Sequence, residues 1–162
     1  MAELDLAQLY ARHRQGLFTA ALSITGCSAR AEDAVHEAFA RMCRTIRTGI
    51  DDPAAYVFAA VRRAAIDQRR RAGSAAVEMD LSIFATDAAS ADAHAIDAER
   101  QRLISLAIGG LPAEMREVVV LRVYGELSFA QIAAVMEEPV QTVASRYRRA
   151  LSRLKERLEH LV

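Results

Sequence analysis

Apolar residues recur every three or four positions along almost the whole of this chain, and that spacing restricts its fold more than any other feature. A period near 3.6 is that of helices with one buried stripe, whereas half-buried strands alternate. Leu6, Leu9, Tyr10, His13, Leu17, Ala21 and Ile24 form the first stripe, which stops near Gly26, a residue suited to a helix C-cap. Ser28 is placed to cap a second helix, with Val35, Phe39, Met42, Cys43 and Ile46 on one face and Gly49 at its end. Asp52-Pro53 is a strong start signal, a capping carboxylate followed by proline at the first helical position. The helix it opens turns Tyr56, Val57, Ala60, Val61 and Ala64 inward and ends in Arg69-Arg70-Arg71.

The period lapses over 73–97, "GSAAVEMDLSIFATDAASADAHAID", which is rich in Ala, Ser and Asp and reads as a linker, with Leu81, Ile83 and Phe84 able to dock. Charge changes at the same boundaries. The formal net charge of the chain is zero, yet residues 1–72 carry +3, residues 73–97 carry −5 without a single base, and residues 98–162 carry +2. Two mildly basic halves are thus masked by an acidic connector, which on composition alone is equally a solubilising spacer.

Helical spacing resumes near Ala98 and runs through Leu103, Ile104 and Ala107 to Gly109-Gly110. Leu111-Pro112 restarts it, with Met115, Val118, Val119 and Val123 as the next stripe. Ser128 followed by Gln131 is a capping-box pattern opening a short helix whose Phe129, Ile132, Ala133 and Met136 face inward. After Glu137-Glu138-Pro139, Val140, Val143, Tyr147, Ala150, Leu151 and Leu154 make one stripe of a last helix. Its opposite side holds Gln141, Thr142, Ser145, Arg148 and Arg149, flanked by Arg146 and Arg153. The expected fold is all-α: two small helical domains, 1–72 and 98–162, joined by the acidic linker 73–97, the second a helix-turn-helix.

In a helix-turn-helix the second helix enters the major groove with its N-terminal residues nearest the bases. Gln141 suits an adenine edge, and Thr142 and Ser145 suit single acceptors or a thymine methyl. Arg146, Arg148 and Arg149 suit phosphates, which fix register and make binding salt-sensitive. A solvated helix at the end of a bundle is the plainer alternative for the same face.

Other function classes find little support. No run of 18 apolar residues is present, so no membrane insertion is expected, and the first residues lack the pattern of a signal peptide. Cys27 and Cys43 fit no CxxC spacing and read as free thiols of a reducing cytoplasm, with a disulfide or shared metal as the remote option. His13, His36, His94 and His160 are scattered, and no HExxH, GxxxxGK or GxSxG motif occurs. Neither an enzyme, a metal site nor a cofactor is expected.

The stretch "LPAEMREVVVLRVYGELSFAQIAAVMEEPVQTVASRYRRALSRLKERL" resembles the C-terminal DNA-binding domain of extracytoplasmic-function (ECF) sigma factors of bacterial RNA polymerase. The resemblance rests on Leu111-Pro112, Arg116-Glu117-Val118, Leu127-Ser128, Ile132-Ala133, Pro139-Val140, Thr142-Val143, Ser145-Arg146 and Arg149-Ala150. Independently, "AEDAVHEAFAR" resembles the family's Asp-x-x-Gln-Glu-x-Phe segment and "DPAAYVFAAVRRAAIDQRRR" its promoter-melting helix, so essentially the whole chain is covered.

The resemblance implies a subunit that brings core polymerase to promoters and nucleates melting. Its partners would be the polymerase β′ and β subunits, promoter DNA and an anti-sigma factor. The first domain would dock on a β′ coiled coil through Asp33, His36, Glu37, Arg41 and Arg44. It would also capture a flipped −10 base near Thr48–Ala55, with Tyr56 (which reads first as a core residue), Arg62, Arg63, Arg69, Arg70 and Arg71 as contacts. The second domain would read the −35 element, and the linker would mimic a polyanion in a polymerase channel. His36 stands where the family usually has glutamine, Arg63 where it has asparagine, Glu137 where it has glycine and Ala144 where it has lysine, and no tryptophan accompanies Tyr56. These departures imply weak intrinsic −35 binding, rescued by tethering to polymerase. They also motivate the alternative of a sigma-like decoy that binds polymerase or an anti-sigma factor without using DNA.

Overall fold

The computed structural model describes residues 3–45, 48–73 and 94–161. Their elements are seven α-helices: α1 (Leu6–Thr25), α2 (Ser28–Cys43), α3 (Pro53–Ala72), α4 (His94–Gly109), α5 (Ala113–Val123), α6 (Phe129–Met136) and α7 (Val140–Leu161). No strand occurs among the described residues. Most of the expected linker, with Leu81, Ile83 and Phe84, lies outside them, as do Ile46 and Arg47.

The helix ends follow local chemistry. Asp5 accepts a hydrogen bond from the backbone N–H of Gln8, and Asp52 from that of Ala55, so each caps the helix behind it. Gly26 closes α1 in the left-handed region at φ 67°, donating its N–H to Leu22. Three ends differ from the expectation. Cys27, not Ser28, holds the N-cap position of α2, in extended conformation and without a side-chain cap, because Ser28 is already helical. That helix stops at Cys43, well before Gly49, as the Arg44 N–H turns back to Arg41 and Met42. Helix α4 starts at His94, earlier than Ala98.

Helices α1, α2 and α3 pack on one another around Leu17, Leu22, Val57, Phe58 and Val61. Helices α5, α6 and α7 enclose Val118, Val119, Val120, Leu127, Ile132 and Val143, with α4 laid against α7. The two groups are not separate. Helix α1 packs on α5 and α3 on α6, and the buried side chains form one continuous cluster. This explains a departure in α5, where Val118 to Leu121 are all buried while Val123 is exposed. A helix covered from two sides buries consecutive residues, which a single stripe does not anticipate.

Gly16 marks the closest approach. A Cβ there would lie 2.8 Å from the Tyr124 carbonyl oxygen and 3.2 Å from Gly125 Cα, so the α1 backbone touches the α5–α6 turn directly. Polar bonds reinforce the junction. Arg116 of α5 donates to the Ser23 carbonyl of α1 (3.1 Å), and Gln131 of α6 donates to both carboxylate oxygens of Asp52 (3.2 and 3.1 Å).

Candidate nucleic-acid interface

Helices α6 and α7 make the helix-turn-helix. Both halves of the capping box form: Ser128 Oγ accepts from the Gln131 N–H, and Gln131 Oε1 accepts from the Ser128 N–H. Glu137 ends α6 at φ 56°, ψ 43°, a left-handed conformation that explains glycine as the better residue at this turn. Helix α7 then rests on α6 through buried Val143 and Ala150 and through Tyr147, whose ring meets Phe129 edge-on at 5.4 Å. Arg122 lies over the other ring system, 4.8 Å from the Phe129 centroid, and donates to the Leu127 carbonyl, tying α5 to the turn before α6.

That packing settles which α7 residues face outward. Gln141, Arg148 and Arg149 are exposed, and Thr142 and Ser145 are half-buried. Arg149 donates to Ser145 Oγ at 3.1 Å, so these two act from one surface. Val140 and Leu151, at the margins of the stripe, are nearly half exposed. Arg146 is different. Its side chain is 14% exposed, and its Nη2 pairs with Glu138 at 3.2 Å and Glu114 at 3.4 Å.

The remaining expected residues lie on the first three helices. Along α3, Tyr56 is half-buried against the core, and Arg63, Arg69, Arg70 and Arg71 are exposed. Arg62 is turned toward the other helical group, where its Nε donates to Glu117 of α5 at 3.0 Å. Their side chains are 24% and 14% exposed, so the pair is largely withdrawn from solvent. Arg63 approaches Glu137 at 3.9 Å with both side chains well exposed, an interaction worth little. On α2, Asp33, His36 and Arg41 are exposed, as is Arg44 just past its end. Glu37 there is bonded to Arg41, to Gln68 and to Arg71, which joins the expected polymerase face to the end of α3.

The pairings at the junction have no signature in the sequence, which offers Asp52 and Gln131 as caps, His13 as a stripe residue and Arg116-Glu117 as part of a family motif. Burial, and secondarily Arg69, hold the Arg116 guanidinium below its ordinary pKa, with Glu117 opposing. Burial likewise pushes the Tyr124 phenol up. His13 of α1 meets Phe58 edge-on at 5.7 Å, and its pKa is lowered by burial and by Arg12, against the pull of Glu126. Asp52, Gln131, Arg116 and Glu117 pair across 55 to 93 residues of chain, and such separations leave no local pattern to read. Among the described residues no cluster of His, Cys, Asp and Glu could hold a metal, and no helix is long and apolar enough to cross a membrane.

Comparison with known proteins gives this geometry a context. Residues 9–75 match the family model of sigma-70 region 2, and residues 101–154 match that of sigma-70 region 4. A helical protein with these two regions, the second a helix-turn-helix, is of the sigma-70 class. The ECF RNA polymerase sigma factor SigL of Mycobacterium tuberculosis, in three strains, is 33% identical over 157 residues, covering 94% of this chain and 88% of SigL. The chain belongs to the ECF sigma factors. The fold is shared with the sigma factor RpoE of Bartonella quintana, solved with the anti-sigma factor NepR, at a TM-score of 0.70, 23% identity and coverage of 96% of this chain and 97% of that one. It is shared too with CnrH, solved with the cytosolic domain of CnrY, at a TM-score of 0.65, 24% identity and coverage of 95% and 87%. As a sigma factor, the protein directs RNA polymerase core to promoters, and its partners are that core and promoter DNA.

Proposed function

We propose that the closed packing of the two helical groups is the resting state of this sigma factor, and that opening it frees the −10 surface, the −35 face of α7 being exposed already. The observation that carries this is Arg62. A side chain midway along the expected promoter-melting helix is withdrawn into an ion pair with Glu117, and the cap of the same helix, Asp52, is bonded to Gln131. Single-stranded −10 DNA and Glu117 compete for one guanidinium.

In the open form, residues 1–72 dock on β′ through Asp33, His36, Glu37, Arg41 and Arg44. They hold the melted −10 strand with Tyr56, Arg62, Arg63, Arg69, Arg70 and Arg71. Residues 98–162 present Gln141, Thr142, Ser145, Arg148 and Arg149 to the −35 element and also meet the β subunit. Residues 73–97 thread the polymerase between them. The protein carries out no covalent chemistry and works in the cytoplasm. An anti-sigma factor is the partner that holds the closed form; the complex of RpoE with the anti-sigma factor NepR supports a partner of that kind.

Permanganate footprinting of promoter melting by reconstituted holoenzyme tests the assignment. Arg62→Ala should reduce reactive −10 thymines while core binding persists. Unchanged melting by that variant would remove Arg62 from the DNA contacts and the competition with it.

A further inference from the structure

The guanidinium of Arg146 sits where a phosphate contact is expected from the sequence, on the flank of the recognition helix α7, yet it is already engaged. Nη2 lies 3.2 Å from Glu138 Oε1 and 3.4 Å from Glu114 Oε2. Nη1 is shut off from solvent and has no hydrogen-bond partner among the described residues. A DNA phosphate could reach neither terminal nitrogen without displacing what covers it. The two acids come from different elements: Glu138 from the turn between α6 and α7, Glu114 from the first turn of α5. Arg146 therefore ties α7 to the turn before it and to α5 at one point. Both acids meet the one nitrogen Nη2, which arginine carries on a rigid planar head one atom farther from the backbone than a lysine ammonium.

Two neighbours show what the bridge controls. A recess of about 370 Å³ opens between the start of α5 and α7, lined by Pro112, Glu114, Met115, Thr142, Arg146 and Arg149. Thr142 and Arg149 belong to the face assigned to DNA, so the rotation and height of α7 against α5 set where they point. Glu138 directly follows Glu137, whose left-handed backbone makes this turn a strained place to rest a recognition helix. An ion pair to the adjacent residue offsets that weakness.

We infer that Arg146 is a positioning residue for −35 readout, acting through Glu114 and Glu138 rather than through DNA. This rests on the reading of α7 as the −35 interface. It also gives Glu138 a use: the second acid of the turn, which as a bare charge would repel DNA, is consumed in holding the helix.

The test compares holoenzymes, reconstituted from core polymerase and the full chain, on a promoter duplex taken from mapped start sites and on the same duplex with its −35 segment scrambled. Affinity is measured from low to moderate salt. Each lost phosphate contact lowers the slope of log K against log salt by about 0.9. Arg149→Ala should show that loss. Arg146→Ala should keep the wild-type slope and lose roughly tenfold in preference for the intact −35 segment, on the scale of one base-pair mismatch.

Two further variants avoid relying on a truncation that could unfold α7. Arg146→Lys keeps a charge for phosphate but ends one atom short of Nη2 and lacks the planar head that holds it between the acids, so it should lose the −35 preference as the alanine does. The double variant Glu114→Gln/Glu138→Gln, which frees the guanidinium, should lose that preference too. A slope lowered by about 0.9 in Arg146→Ala, full function in Arg146→Lys, or tighter binding with unchanged preference in the double variant would each make Arg146 a phosphate contact and overturn the inference. Wild-type holoenzyme indifferent to the −35 segment would instead defeat the reading of α7 itself.

Discussion

Replacing Gly16 with alanine should separate closure from folding. Gly16 lies in the interior of α1, where alanine is favoured over glycine by about 0.8–1.0 kcal/mol. That gain is felt equally in closed and open forms, so it cancels from the equilibrium between them. The new methyl does not cancel. It would stand 2.8 Å from the Tyr124 carbonyl oxygen and 3.2 Å from Gly125 Cα, both backbone atoms of the opposite group, and 3.3 Å from the Phe58 ring of its own. Overpacking of this kind costs about 1–3 kcal/mol, which corresponds to a roughly 5- to 150-fold shift from closed to open. Binding to core polymerase that requires the open form should accelerate by the same factor until the open form dominates. Small-angle scattering should show expansion, amides of the α5–α6 turn should exchange faster, and the α1 helix should not be weakened. If the variant keeps wild-type dimensions, turn protection and association rate, the close approach at Gly16 does not restrain the protein and the closed resting state is wrong.

Four other perturbations bear on the same account. Glu117→Gln leaves Arg62 without its carboxylate; a largely buried ion pair of this kind should cost closure about 1–3 kcal/mol, read as more promoter melting at equal sigma concentration. Glu137→Gly removes a left-handed glutamate from the turn and should stabilise the chain by about 0.5–1 kcal/mol, seen as a small rise in Tm, with tighter promoter binding from the lost negative charge. Gln131→Ala removes half of the capping box together with the bond to Asp52, and should cost about 1 kcal/mol in thermal unfolding while speeding exchange at the starts of both α3 and α6. The pKa of His13 is depressed in the folded protein, so the neutral ring is favoured there; its contribution is present above pH 6.5, the ordinary histidine value, and is lost as pH falls below it. The stability difference between wild type and His13→Gln should therefore shrink on acidification, and a difference that grows would reverse the assignment.

The parts of this molecule that were legible in the sequence are those written in neighbouring residues. Asp52-Pro53, Gly26 and the Ser128–Gln131 box each act within a turn of chain, and each appears where it was read. Of the outward set of α7, Gln141, Arg148 and Arg149 followed from a single stripe, whereas Arg146 on its flank is drawn in by Glu114 of α5, which also packs on this helix. Helix α5 defeated the same reasoning because α1 covers a second side, burying Val120 and Leu121 and leaving Val123 out. Ser28 looked like a cap because its residue type suits one, but the chain becomes helical one position earlier than a cap there would allow. The junction was illegible for a different reason. Arg62 and Glu117 carry no mark of each other, and an arginine on a basic helix reads as a nucleic-acid contact until its partner is seen.

In-vitro transcription by core polymerase with this chain, on a genomic DNA library with 5′ ends sequenced, tests the central claim most directly. The account predicts new start sites that share spaced −35 and −10 motifs, and more transcripts from Gly16→Ala and Glu117→Gln at limiting sigma concentration. A chain that binds core tightly yet starts no transcripts, in wild type and in both opened variants, would contradict it.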